Sequence, residues 1–171
     1  MKDEYKTRDA PSAILHPLRT LIVDDSVLLL SCLRRLLEPQ DLVHVVDTAA
    51  NGSEALRKAD ALTPDLVLMD VNMPRMNGLQ AAEILRRLLP NTRIIIMTLD
   101  ETVETKTAAR AHGADGFVGK RRIVSDLMPE IRRVFRLRYA VAKRTPHEHE
   151  EPNTTRQTGD LCRYCLPNWR L

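Results

Sequence analysis

The sequence predicts an α/β protein in which five parallel strands form a doubly wound sheet with five helices. Three observations predict it. Short β-branched or apolar runs alternate five times with segments of helical apolar spacing, and such alternation calls for parallel strands joined by right-handed crossovers, with helices on both faces. Two of the runs, residues 66–69 (LVLM) and 93–98 (RIIIMT), are apolar without alternation, the pattern of strands buried on both sides. Polar side chains stand at or just beyond the ends of four of the five runs: Asp24-Asp25, Asp70, Thr98 and Lys120.

Each element has its own signals. Residues 21–23 (LIV) form the first strand, ending in Asp24-Asp25. Ser26 is a helix N-cap, Leu29, Leu33, Leu36 and Leu37 follow at helical spacing, and Pro39 ends the pattern. Residues 43–47, with Val43, Val45 and Val46, read as the second strand. Asn51-Gly52 reads as a turn before a helix through Ala55, Leu56, Ala59 and Leu62, which stops ahead of Pro64. The third strand, residues 66–69, runs into Asp70 and a loop containing Asn72-Met73-Pro74 and Asn77-Gly78. Pro74 keeps the strand from continuing, and Gly78 is expected to permit a tight turn before the next helix. Leu79, Ala82, Leu85, Leu88 and Leu89 trace that helix, with Arg86 and Arg87 expected on its wet side. After the fourth strand, residues 101–111 form a weakly amphipathic helix closed by Gly113. Residues 116–118 give a short fifth strand leading to Lys120, and Leu127, Ile131, Val134 and Phe135 give a fifth helix that runs on toward Lys143.

The 171 residues suffice for one domain with tails: a disordered leader over 1–17, a domain over 18–140, and a polar, disordered tail over 141–171. Hydrophobic residues make up 43% but aromatic ones only 4%, so the core is aliphatic. No apolar stretch serves as a signal peptide or spans a bilayer, and three cysteines do not make a disulfide framework, so the protein is expected in the cytoplasm. The net charge of +3 is too small to imply nucleic acid by itself. Basic residues do gather around helix five (Arg121, Arg122, Arg132, Arg133, Arg136, Arg138, Lys143, Arg144). A solvated face is the first reading of that run, an acidic protein partner the second and nucleic acid the last. Cys162 and Cys165 have half the spacing of a zinc site that His147 and His149 could complete, but the tail offers no structure between the pairs, and they are read as thiols.

Singly, Thr98 would be a loop hydroxyl, Lys120 a surface ammonium and Phe117 a core side chain. Together the strand ends share one edge of a doubly wound sheet, where such folds bind ligands. Three carboxylates resist full ionisation unless a cation joins them, and Mg²⁺, a hard ion that takes oxygen ligands, suits them. A hydroxyl and an ammonium then remain for a phosphoryl group.

This order of elements resembles the receiver domain of two-component response regulators. The family carries an acidic pair after strand one, here Asp24-Asp25, and a phospho-accepting aspartate after strand three, here Asp70 with Met73-Pro74 and Gly78 behind it. A Thr or Ser follows strand four, here Thr98, and a lysine follows strand five, here Lys120. The resemblance covers about residues 18–137. It implies a flavodoxin-like sheet of strand order 2-1-3-4-5. It also implies that Asp70 accepts a phosphoryl group from a histidine kinase or histidine phosphotransfer protein. Mg²⁺ would be held by Asp25, Asp70 and the backbone carbonyl of Asn72, with Asp24 supporting it through water. Thr98 and Phe117 would form the switch, and a downstream protein or a second copy of the chain would bind the face of helix four, strand five and helix five.

The sequence departs from the family twice. Arg121 stands where proline usually follows the lysine, so a trans peptide is expected there. Leu99 stands where a small residue usually follows the threonine, and its bulk is expected to shield the phosphoryl group. The family acts in signalling and catalyses only its own phosphorylation and dephosphorylation. Two other readings compete. A Mg-dependent phosphatase or nuclease would use the aspartates but leaves Thr98, Phe117 and Lys120 unexplained. A regulator binding nucleic acid through the basic helix-five region would need an effector domain, and the residues after helix five lack the apolar periodicity of a helix-turn-helix. The chain is therefore expected to act as a stand-alone receiver.

Overall fold

A computed structural model describes residues 16–136. In chain order they form β1 (Leu18–Val23), α1 (Val27–Leu37), β2 (Val43–Ala49), α2 (Gly52–Leu62), β3 (Leu66–Asp70) and α3 (Gly78–Leu88). These are followed by β4 (Arg93–Thr98), α4 (Val103–Ala111), β5 (Gly116–Gly119), a 3₁₀ turn (Lys120–Arg122) and α5 (Ile123–Val134). The five strands are parallel in the order β2-β1-β3-β4-β5, the flavodoxin-like arrangement expected.

The all-apolar runs explain which strands are central. Every residue of β3 is buried, and so is every residue of β4 except Arg93. Their side chains alternate between two cores. Leu66, Leu68, Ile95 and Met97 face α1 and α5, where they meet Leu30, Leu33, Leu37, Leu127 and Ile131. Val67, Met69, Ile94 and Ile96 face α2, α3 and α4, which offer mainly alanines: Ala55, Ala59, Ala81, Ala82 and Ala109. Small residues there let the helices lie close on the sheet. A fully buried Leu or Ile contributes about 1.5–3 kcal/mol, so the two cores are what hold the strand ends in place.

Several boundaries differ from expectation, each for a local reason. β1 begins at Leu18 rather than Leu21 because Thr20 is buried there, its hydroxyl donating to the Leu18 carbonyl at 3.0 Å. β2 continues through Asp47 to Ala49; on this edge strand Lys58 pairs with Asp47 at 3.1 Å and donates to the Thr48 carbonyl at 2.6 Å. Asn51 caps α2, accepting the Glu54 N–H at 2.9 Å, instead of forming a separate turn. Thr102 caps α4, which therefore starts at Val103 and not at residue 101. Arg86 does not face solvent: it donates to the carbonyls of Gly113, Pro90 and Thr92 and pairs with Asp115, tying α3 to the loops that lead into β4 and β5. Ser26 caps α1 as expected. Pro129 removes one rung of α5, yet the buried stripe of Ile123, Leu127, Ile131 and Val134 carries the helix through. No cis peptide occurs among the described residues, in line with the trans bond expected before Arg121. α5 ends at Val134, short of the expected run through Phe135 toward Lys143, because Phe135 is its C-cap and Arg136 turns into the left-handed region at φ 53°. The leader up to residue 15, the polar tail and Cys162, Cys165, His147 and His149 lie outside the described residues. No helix among those described is long and apolar enough to cross a membrane.

Candidate functional site at the carboxyl edge of the sheet

Strand alternation decides which polar residues meet. Ile22, Leu68 and Val118 all point into the core beneath α1 and α5. Two residues on, Asp24, Asp70 and Lys120 follow with the same parity, so their side chains gather on one side of the sheet edge. β4 lies between β3 and β5, so Lys120 must span two strand spacings, roughly 10 Å, to reach Asp70. A long unbranched stem does this. Its Nζ sits 2.6 Å from Asp24 Oδ2 and 2.8 Å from Asp70 Oδ1.

Asp24 is fully buried and Asp70 nearly so, whereas Asp25 is exposed at the mouth. Oδ1 of Asp24 accepts the Ser26 N–H at 2.9 Å. Oδ2 of Asp24 has the Lys120 ion pair but no hydrogen bond of proper direction. Asp70 accepts the backbone N–H of Asn72. Burial pushes the Asp70 carboxyl above its ordinary pKa, and the negative charge of Asp24 adds to this; Lys120 and the Asn72 N–H oppose it without prevailing. For Lys120, burial alone would lower the pKa, but the close carboxylates of Asp24 and Asp70 outweigh it and leave the ammonium raised. One cation is thus set among three carboxylates.

Each of Asp24, Asp25 and Asp70 offers an oxygen, and the three oxygens lie within 4.8 Å of one another. A hard divalent cation fits this donor set, because it would supply the positive charge that three carboxylates beside a single ammonium lack.

The loop after Asp70 is pinned from both ends. Met73 is buried in the α2–α3 core, and the Gly78 N–H donates to the Val71 carbonyl at 2.9 Å. Gly78 is the first residue of α3, capped by Asn77. Its role is close approach rather than turning: a Cβ at this position would lie 1.8 Å from the Asp70 carbonyl oxygen.

Of the residues singled out from sequence, Asp24, Asp70 and Lys120 are in direct contact, and Asp25 completes the carboxylate cluster. Thr98 ends β4 beside β3, fully buried, with Leu99 half-buried after it. Asn72 stands at the start of the loop. Phe117 packs against the α3–α4 side, half-buried, with Lys106 Nζ 5.3 Å from its ring centre. Sequence reasoning missed Glu130, whose carboxylate accepts the Phe117 N–H at 2.9 Å. It also missed Asp100 and Glu101, which shape the loop after Thr98. Glu130 lies three residues after Leu127 in a helix whose apolar stripe was legible, so its inward tilt left no mark in the pattern.

Known proteins resemble this chain in sequence and fold. The family model for the response regulator receiver domain covers residues 20–132. The protein-glutamate methylesterase/protein-glutamine glutaminase of Caldanaerobacter subterraneus subsp. tengcongensis is 41% identical over 104 residues, 60% of this chain and 28% of that protein. The response regulator GacA of Pseudomonas viridiflava is 37% identical over 118 residues, 69% of this chain and 55% of that protein. The chain therefore spans about half, or less, of the length of these relatives. Among solved structures, the CheX-CheY-BeF3-Mg²⁺ complex of Borrelia burgdorferi is similar, with a TM-score of 0.67 and 27% identity over 70% of this chain and 90% of that one.

Proposed function

This chain belongs to the response regulator receiver domain family, and from that premise we propose that it is a phosphorylation-activated regulator whose receiver runs over residues 18–140. Asp70 is the phospho-acceptor, and the donor is the phosphohistidine of a histidine kinase or histidine phosphotransfer protein. An oxygen of Asp70 attacks phosphorus, the P–N bond breaks, and its electron pair leaves with the imidazole nitrogen, which takes up a proton.

Phosphoryl transfer asks for alignment and charge neutralisation more than for a strong nucleophile. Asp70 is held by the Asn72 N–H and by Lys120 at 2.8 Å, so the attacking group is pre-positioned. Lys120, already within hydrogen-bonding distance, follows the charge onto the phosphoryl oxygens. Thr98 donates its hydroxyl to the modified Asp70 once its loop moves inward, and Phe117 answers that motion. Asp25, Asp70 and the Asn72 carbonyl would hold Mg²⁺, with Asp24 in support, and the ion would supply positive charge beside the phosphoryl oxygens. The similar solved complex from Borrelia burgdorferi is one with Mg²⁺, which supports this reading.

The output surface is the face of α4, β5 and α5. A cavity of about 330 Å³ opens there, lined by Lys106, Arg110, Phe117, Glu130 and Arg133 among others, and Phe117 links it to the Thr98 side. A downstream protein binds this face, and a second copy of the chain is the other candidate.

The observation that carries the proposal is the contact of Lys120 with two buried carboxylates, one of them Asp70. The test is incubation with acetyl phosphate and Mg²⁺. Wild type should gain one base-labile phosphoryl group and Asp70→Asn none. Equal uptake by the variant would refute the assignment.

A further inference from the structure

The loop from β4 into α4 is a chain of short contacts that begins at Thr98. Its Oγ1 accepts the Asp100 N–H at 3.2 Å. Asp100 in turn accepts the Thr102 N–H at 3.1 Å and the Thr105 hydroxyl at 2.6 Å. Thr102 is the N-cap of α4. Moving Thr98 therefore moves Asp100 and the first turn of α4 with it.

Glu101 leaves this chain and crosses to the next loop. Its Oε2 pairs with Arg122 Nη2 at 2.9 Å, and Arg122 Nε lies 3.4 Å from Asp126 Oδ2. The Glu101 carboxylate can sit there because residue 119 has no side chain: a Cβ on Gly119 would come within 2.2 Å of Glu101 Oε1. Gly119 precedes Lys120, so the contact joins the loop carrying Thr98 to the turn carrying the lysine that grips Asp70.

We propose that Glu101 and Arg122 are positioning residues, whose ion pair over Gly119 latches the Thr98 loop in its present position and so sets how readily Asp70 takes up a phosphoryl group. The inference rests on the proposed function. Inward motion of Thr98 drags Asp100 and strains or breaks the neighbouring Glu101–Arg122 contact, so the latch opposes it. The Arg122 side chain is 62% exposed and that of Glu101 26%, so screening by water and salt keeps the effect modest. Removing the pair should raise the rate about two- to fivefold, the factor an ion pair of this exposure is worth.

The experiment measures uptake from acetyl phosphate at saturating Mg²⁺ for wild type, Glu101→Gln, Arg122→Gln and the double variant. Each single variant should be faster by that factor, and the double variant no faster than the faster single one, because both remove the same contact. The ratio of Glu101→Gln to wild type should close toward one as salt is raised. The Thr98 amide resonance of unmodified Glu101→Gln should shift toward its position in phosphorylated wild type, which a loss of stability alone does not produce. Unchanged rates, additive rates, a salt-independent ratio or an unmoved Thr98 resonance each overturn the latch. Normal uptake with any of these leaves the receiver reading standing, whereas no uptake in wild type overturns both.

Discussion

Lys120 Nζ lies 2.6 Å from Asp24 Oδ2 and closes, from the turn after β5, a carboxylate pair contributed by the residue after β1 and the last residue of β3. One ammonium, 10% exposed, therefore compensates two buried acids at once.

Removing that ammonium exposes the cost of the arrangement. Lys120→Met should destabilise the protein by about 3–5 kcal/mol at neutral pH, the usual penalty for breaking a buried pair from one side. The folded pKa of Asp70, already raised by burial, should rise further. A raised carboxyl binds its proton more tightly in the folded state, so stability falls as pH climbs from the ordinary 3.8 through the folded value. The deficit relative to wild type should accordingly be smaller near pH 4 than at pH 7. Urea midpoints at the two values measure it, and an equal deficit at both would contradict the charge argument.

Mg²⁺ binding should stabilise the folded state by linkage, because the ligand cluster exists only there. Wild type should gain thermal stability as Mg²⁺ is added. Asp25→Ala, which loses an exposed carboxylate without opening a core cavity, should respond far less. An undiminished response in the variant would place the ion elsewhere.

Leu99 follows the buried Thr98 and is itself half-buried. An acyl phosphate hydrolyses when water attacks in line, so a bulky neighbour that crowds the approach lengthens its lifetime. Leu99→Ala should shorten the lifetime of phosphorylated Asp70 several-fold; a tenfold change needs only about 1.4 kcal/mol in the barrier. Decay of the phosphorylated form, followed by intact mass, decides. An unchanged lifetime removes the shielding role.

Glu130 gives a pH dependence away from the cluster. Burial alone would raise its pKa, but hydrogen bonds from Arg133 and the Phe117 N–H outweigh this and hold it below the ordinary 4.5. The unfolded chain then binds more protons in this window, so stability rises with pH. Its contribution is complete above about 4.5 and is lost as pH falls through the folded value. Partial exposure keeps it to about 1 kcal/mol or less. Glu130→Gln should flatten the acid limb of the stability curve relative to wild type, although Asp47 and Glu54, also lowered, keep some slope in both. Identical acid limbs would show that Glu130 carries no such coupling.

The fold class and the residues at the strand ends were legible in the sequence because they follow from local pattern, whereas the strand order followed from the resemblance to the receiver family. Apolar runs without alternation mark β3 and β4 as central, and alternation with helical segments makes the sheet parallel. Once the strands are parallel, Asp24, Asp70, Thr98 and Lys120 must share one edge. What the tertiary structure alone decided are contacts between elements whose spacing in the chain carries no signal. Arg86 looked solvated because its place on the α3 surface says nothing of the Gly113 carbonyl and Asp115 brought alongside by the α4–β5 loop. Gly78 looked like a turn residue, yet it is needed because the start of α3 presses on the Asp70 carbonyl. Gly119 and Glu101 stand far enough apart in sequence that no local pattern joins them, and they meet only because β4 and β5 pair in register, Thr98 against Gly119. Periodicity determines which face of an element is buried; the partner a side chain finds there depends on the neighbour that packing brings to it.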